Sequence, residues 1–264
     1  MERLSAICSR AGVQVIEDCA HTLLGMAGDR PVGHWGDYAT ASLSKFLPVP
    51  EAGLLASARH RLPPARLQPA GLRGELKAVL DLLERRPARG LWGRLLTWRR
   101  RRHSPPAERA TAAPSAAPTA EELMLACDMA RVRQRPTHAA DWLARHASTG
   151  PIAARRRANF DRLKRGLQSL PGIEPLWQGD AAGAPYVLPC RVDEPDALYA
   201  HLRADGLAVL RWDRIWPGTP DWPFDHGPDW SRRVVQFLCH QDMRPVDIDR
   251  TTRVVESFLR KNPG

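Results

Sequence analysis

The sequence predicts an α/β protein. A compact β-branched run, VQVIE at residues 13–17, ends on an aspartate. Two more short apolar runs follow at residues 38–43 and 53–56, and from residue 186 onward strand and helix patterns alternate to the C terminus. With 264 residues, 43% of them apolar, the chain can build one large or two modest cores, and disorder throughout is excluded.

Taken in order, residues 3–11 have helical patterning and Gly12 ends them, so a strand over residues 13–17 is expected to finish near Asp18. A loop punctuated by Gly25, Gly28, Pro31, Gly33 and Gly36 leads to the second strand, and the Pro48–Pro50 turn to the third. Residues 75–84 place Leu76, Val79, Leu80 and Leu83 on one helical face. Residues 104–119, SPPAERATAAPSAAPT, have almost nothing to bury and read as a linker or exposed loop. Helical patterning returns over residues 121–170, with Pro136 and Gly150-Pro151 as expected breaks. Strands are then expected at 186–192, 208–212 and 234–238, and helices at 196–204 and 245–260. The expected organisation is a cofactor-domain segment (1–58), a basic helical insertion and linker (59–120), a helical return (121–150) and a small α/β domain (151–264).

Charge and cysteines narrow the function classes. Between Arg59 and Arg109 lie fourteen Lys or Arg against four acids, a surplus equal to the whole net charge of +10. The basicity therefore belongs to one segment rather than to the fold. Its densest part, Trp98-Arg99-Arg100-Arg101-Arg102-His103, has the residue types to grip phosphates or an anionic surface, but a basic run beside a Pro/Ala stretch is ordinarily a solvated insertion, so nucleic-acid binding is disfavoured. No apolar stretch is long enough to span a membrane, and the start MERLSAICSR, with Glu2, Arg3 and Arg10 around a very short apolar core, is not expected to act as a secretion signal. Five scattered cysteines without a C-x-x-C pair indicate neither a disulfide scaffold nor a zinc ribbon, and no metal site is expected. A reducing cytoplasm is the expected compartment.

The most informative local pattern is Asp18 at one strand end and, 27 residues on, Lys45 at another. Strand ends in open α/β sheets are where ligands sit. A lysine amine there can join an aldehyde cofactor, and a carboxylate facing a pyridine nitrogen keeps that nitrogen protonated. Spacing alone leaves the plainer reading open: a strand-end turn aspartate and a solvated lysine.

The segments VIEDCAHTLLGMAGDRPVGHWGD and ASLSKFLPVPEAGLL resemble a stretch of the DegT/DnrJ/StrS aminotransferases. The tail, YVLPCRVDEPDALYAHLRADGLAVLRWDRIWPG followed by VVQFLCHQDMRPVDIDR, is similar to that family's small domain. The likeness covers about residues 3–58 and 121–258. It implies a fold-type-I, aspartate-aminotransferase-like protein using pyridoxal 5'-phosphate (PLP), an amino acid as donor and a keto acceptor such as a nucleotide-linked keto-sugar. By the same resemblance Lys45 is the cofactor-bonding and proton-moving lysine and Asp18 the pyridinium partner. His21 falls beside the ring's phenolic oxygen, and Ser42, or alternatively Thr40, at the phosphate. His240 falls near substrate, while Tyr186, Arg211 and Trp212 lie on strand ends that reach toward phosphate or substrate. Trp216, Trp222, Phe224 and Trp230 form either a substrate lid or a self-packed loop.

Two departures from the family pattern stand out. Glu51-Ala52-Gly53 occupies the position of an acidic-Gly-Gly step. The chain also begins a few turns before the Asp18 strand, so it is expected to lack the first part of the large domain, with its phosphate-binding turn and stacking aromatic ring. A homodimer, or a chain supplying that part, is implied as partner; the alternative is a non-catalytic remnant of such an enzyme.

Overall fold

The computed structural model describes residues 1–85, 129–177, 179, 183–211 and 215–262. Helix α1 (Glu2–Arg10) precedes strand β1 (Ile16–Asp18), the short hairpin β2 (Met26–Ala27) and β3 (Arg30–Pro31), strand β4 (Tyr38–Ser42), a 3-10 turn (Leu43–Lys45) and β5 (Gly53–Ala56). Next come α2 (Gly71–Arg85), a 3-10 turn (Met129–Arg131), α3 (His138–His146) and α4 (Thr149–Leu167). The remainder runs β6 (Ile173–Pro175), β7 (Val187–Val192), α5 (Pro195–Ala204), β8 (Val209–Arg211), α6 (Gly227–Arg233), β9 (Val234–Leu238) and α7 (Pro245–Lys261). These elements pack into two compact units, one of residues 1–46, 54–62 and 148–264, the other of residues 47–53 and 63–147.

In the first unit β1, β4 and β5 form one sheet, and β1 lies parallel to β4 with Ile16 opposite Tyr38 and Asp18 opposite Thr40. Alternation along β1 turns Glu17 inward and leaves Ile16 and Asp18 outward. The buried Glu17 carboxylate is satisfied by the backbone N–H groups of Trp35 (2.5 Å) and Gly36 (2.7 Å), while the Ser5 hydroxyl donates to the Trp35 carbonyl at 3.0 Å. A buried acid thereby shapes the loop ahead of β4 and anchors α1 to it.

The same unit holds an antiparallel sheet of order β6-β7-β9-β8. Its core is contributed by Leu188, Cys190 and Val192 of β7, Val235 and Phe237 of β9, Phe160, Leu163 and Leu167 of α4, and Ile248, Val255 and Phe258 of α7. The i, i+3/i+4 spacing of the helical members puts them on one stripe of each helix. Each fully buried large side chain contributes about 1.5–3 kcal/mol. Helices α4 and α7 approach closely at Gly166, where a Cβ would come within 2.6 Å of the Thr252 hydroxyl.

The second unit pairs α2 with α3. Glu75 accepts from both the backbone and Nδ1 of His138, the latter at 2.8 Å, and Thr137 caps α3 by accepting from the Ala140 N–H at 3.3 Å. Arg131 bonds Glu51.

Several expectations need correction. The break expected at Gly150-Pro151 falls just before them, at Ala147–Ser148, and both residues lie in the first turn of α4, where N–H groups have no helical acceptor and a proline loses nothing. Strand β1 begins only at Ile16, because Val15 donates to the Asp37 carboxylate instead of a ladder partner. Trp216, Trp222, Phe224 and Trp230 are all exposed, so they are not a self-packed loop. The basic run 98–103, the stretch 104–119, Cys127 and Trp212 lie outside the described residues.

Candidate active site

Strand β1 ends at Asp18, and its Oδ1 accepts from the Ala20 N–H at 2.9 Å, turning the chain out of the sheet. Cys19 donates its N–H to the Thr40 carbonyl at 2.7 Å, which holds this turn to β4. Two residues on, His21 Nε2 lies 2.8 Å from the Lys45 amine, and the imidazole stacks on Tyr186 with centroids 4.9 Å apart. The amine lies 5.8 Å from the Tyr186 ring centre. Thus Lys45, His21 and Tyr186, from three separate parts of the sequence, converge in the larger unit.

Electrostatics fixes the roles within this group. Burial lowers the His21 pKa, the Lys45 charge lowers it further, and Asp18 acts the other way. A neutral imidazole accepts from the ammonium at Nε2 and carries its own hydrogen on Nδ1. Lys45 and Asp18 both act on the His21 ring, yet among the described residues they form no ion pair with each other. Thr40, opposite Asp18 in register, and Ser42, two residues further along β4, share Asp18's face of the sheet. The Ser42 hydroxyl stands 3.5 Å from that of Ser44.

The turn bearing Lys45 is held from beneath by a residue that sequence reasoning missed. Arg156 of α4 is fully buried and donates to the Lys45 carbonyl (2.5 Å), the Pro185 carbonyl (3.2 Å) and Gln241 Oε1 (2.7 Å), with its guanidinium 4.7 Å from the Phe46 ring centre. Gln241 in turn donates to the Phe46 carbonyl at 3.1 Å. Burial lowers the Arg156 pKa, against the pull of Cys239, Tyr186 and Asp242. One signal for it exists in the sequence: Arg156 falls on the stripe Ala153, Phe160, Leu163 and Leu167, where an apolar residue is expected.

A cavity of about 400 Å³ adjoins the His21–Tyr186 pair. Phe160, Trp177, Val187 and Pro189 contribute to its wall, which is mostly apolar. His240 is half-exposed; its carbonyl accepts from Asn159 at 2.7 Å, and its neighbour Gln241 reaches the Lys45 turn. Arg211 is occupied elsewhere, bonding the Asp196 carboxylate and the Arg232 carbonyl, each at 2.6 Å. Burial pushes the Cys239 thiol up to about 12, which disqualifies it as a nucleophile at neutral pH.

Residues 1–62 match the DegT/DnrJ/EryC1/StrS aminotransferase family. No curated protein sequence matches the chain. Among solved structures, a DegT/DnrJ/EryC1/StrS aminotransferase from Brucella abortus is 14% identical, with a TM-score of 0.58 over 97% of this chain and 60% of its own. The aminotransferase TlmJ from Streptoalloteichus hindustanus is 16% identical, with a TM-score of 0.60 over 100% of this chain and 63% of its own. The sugar aminotransferase CalS13 from Micromonospora echinospora is 17% identical, with a TM-score of 0.55 over 97% of this chain and 63% of its own. The fold is therefore that of the fold-type-I aminotransferases, and this chain spans about three fifths of the length of those it resembles. No helix among the described residues is long and apolar enough to cross a membrane.

Proposed function

We propose that the chain acts in PLP-dependent amino transfer from an amino acid donor to a keto acceptor, a nucleotide-linked keto-sugar being the acceptor class its DegT/DnrJ/EryC1/StrS resemblance favours. In this reading residues 1–58 belong to the cofactor-binding domain, 59–120 form an insertion, 121–150 return to the large domain and 151–264 form the small domain. The working unit is a homodimer or a complex with a further chain, in the cytoplasm. The observation that carries the reading is the Lys45–His21 contact at 2.8 Å beside the exposed Asp18 carboxylate.

The donor set suits the cofactor. An amine held by a neutral imidazole rather than by a carboxylate keeps its lone pair available once it loses a proton, and the carboxylate on the neighbouring strand end is not tied up by that amine. Bound PLP would supply an aldehyde and an electron-withdrawing ring. Lys45 is the group to meet that aldehyde and to carry protons at Nζ. Asp18 is the partner of the ring nitrogen. His21 takes and holds a hydrogen bond from Nζ, and Ser42 or Thr40 is the hydroxyl that would meet the phosphate. Tyr186 fixes the plane of His21, and Arg156 fixes the backbone of Lys45. His240 is the candidate to meet the substrate.

Visible spectroscopy of the purified chain with PLP tests this. A visible band is expected that borohydride fixes onto the Lys45 peptide and that Lys45→Ala abolishes. No band, or a band that persists in Lys45→Ala, overturns the assignment. A Lys45-dependent band without amino transfer from any amino acid identifies a binding protein without catalysis.

A further inference from the structure

Helix α7 treats its charges in two ways. Each of its three acids is engaged by an arginine: Asp247 by Arg244 at 3.0 Å, Asp249 by Arg162 at 2.6 Å and Glu256 by Arg260 at 2.5 Å. The cations left over on the helix, Arg250, Arg253 and Lys261, are spaced so as to fall on one stripe together with Ser257, and all four line a single cavity of about 410 Å³ between α7 and α5. His201 of α5 and Asp205, just past its end, also line it. Among the described residues none of the three cations is within 4 Å of a carboxylate, although the fields of Arg250 and Arg253 reach Asp247 and Asp249. Arg250 donates to the Asp205 carbonyl at 2.9 Å, which steadies its guanidinium. His201 is oriented by its ring contact with Phe258 at 5.3 Å.

Like charges three residues apart on a helix repel, and the three acids of α7 are engaged by other arginines, so the groove, whose wall sets three cations against the single carboxylate of Asp205, keeps a positive balance in a concave space. Guanidinium pairs of this kind suit the geometry of a phosphoryl group, to which Arg donates through two parallel N–H bonds. We propose that this groove, on the α5–α7 side of the larger unit and including neither Lys45 nor His21 in its wall, is a binding site for a phosphoryl anion, with Arg253, Arg250 and Lys261 as its donors and Ser257 as a neutral hydroxyl partner. The proposal does not depend on PLP chemistry.

Isothermal titration of the full chain with sodium pyrophosphate at low salt, against sodium chloride of matched ionic strength, tests it. Saturable binding of one anion per chain is expected. It should weaken at least tenfold in Arg253→Gln/Lys261→Gln with the circular dichroism spectrum unchanged, and it should be retained in Lys45→Ala. Absence of saturable binding, equal heat from chloride, or an affinity unmoved by the double substitution overturns the site. Should the double variant fail to fold, Ser257→Glu, which places a negative charge in the groove at an exposed position, is expected to abolish binding; retention there also overturns it.

Discussion

The two larger sheets of the larger unit bury their apolar residues very unequally. The antiparallel sheet β6-β7-β9-β8 is backed by α4 and α7, and its facing side chains are closed off from water. The parallel pair β1–β4 with β5 keeps Glu17, Ala39 and Trp35 inside but leaves Ile16 66% exposed and Leu55 58% exposed. Sheets with parallel strands are ordinarily covered on both faces. The C-terminal layer therefore carries the stability of this unit, while the layer bearing Asp18 and the Lys45 turn takes its order from polar ties: Glu17 under Trp35, Asp37 on Val15, and Arg156 beneath Lys45.

Single substitutions can break that contrast. Phe237→Ala, in the centre of β9, is expected to cost about 3–5 kcal/mol, and Leu188→Ala about 2–5 kcal/mol, by lost transfer energy plus the cavity left behind. Ile16→Ala is expected to stay within about 0.5 kcal/mol. Urea unfolding of the three variants checks this, and comparable losses at Ile16 and Phe237 would show that the parallel sheet is covered after all.

Next in size is the tie between the layers' shared elements. Arg156→Met removes donors from two carbonyls and from Gln241 and leaves the carbonyls of Lys45 and Pro185 short of a partner. The expected loss is about 2–4 kcal/mol, the range for orphaned buried polar groups rather than for an apolar deletion. Arg156→Lys should recover part of it through the aliphatic stem and one donor. If Arg156→Met is neutral, the Lys45 turn is held by its own 3-10 geometry and the polar-tie account of the N-terminal layer fails.

What could be read from the sequence follows the same division. Strands β5 and β9 fall where the apolar runs put them, and helix α7 extends one residue beyond the pattern at its end, because alternation and helical period both report a face turned toward a core. Strand β6 and the hairpin β2–β3 escape notice: Ile173–Pro175 and Met26–Ala27 are too short to show a period, and they exist only because β7 pairs with β6 and β3 with β2. Helix α6 begins at Gly227-Pro228 and reads as a loop by composition. Within the candidate site, Asp18 and Lys45 are legible as chemistry at strand ends, and His21 only through the family resemblance. Their convergence with Tyr186 and Arg156 is not, since it depends on elements more than a hundred residues apart in the chain.

The smallest expected effect is a titration that probes the site itself. Burial and the Lys45 charge both hold the His21 pKa below its ordinary value, with Asp18 opposing. The folded protein therefore binds this proton less readily than the unfolded chain, so His21 is neutral without penalty above the ordinary histidine range, and stability falls as the pH drops through that range toward the folded pKa. Replacing Lys45 by Ala removes one of the two lowering causes, and the His21 pKa is expected to rise. Asp18→Asn removes the opposing one, and the pKa is expected to fall. Ring-proton NMR of His21 across pH 4–8 reads both shifts, and their opposite signs are the point: a common direction would mean that refolding of the turn, rather than the two charges, sets the ring's protonation. Tyr186→Leu serves as the control. It removes the stacked ring that helps desolvate the imidazole but neither charge, so the pKa should rise while its displacement by Asp18→Asn persists.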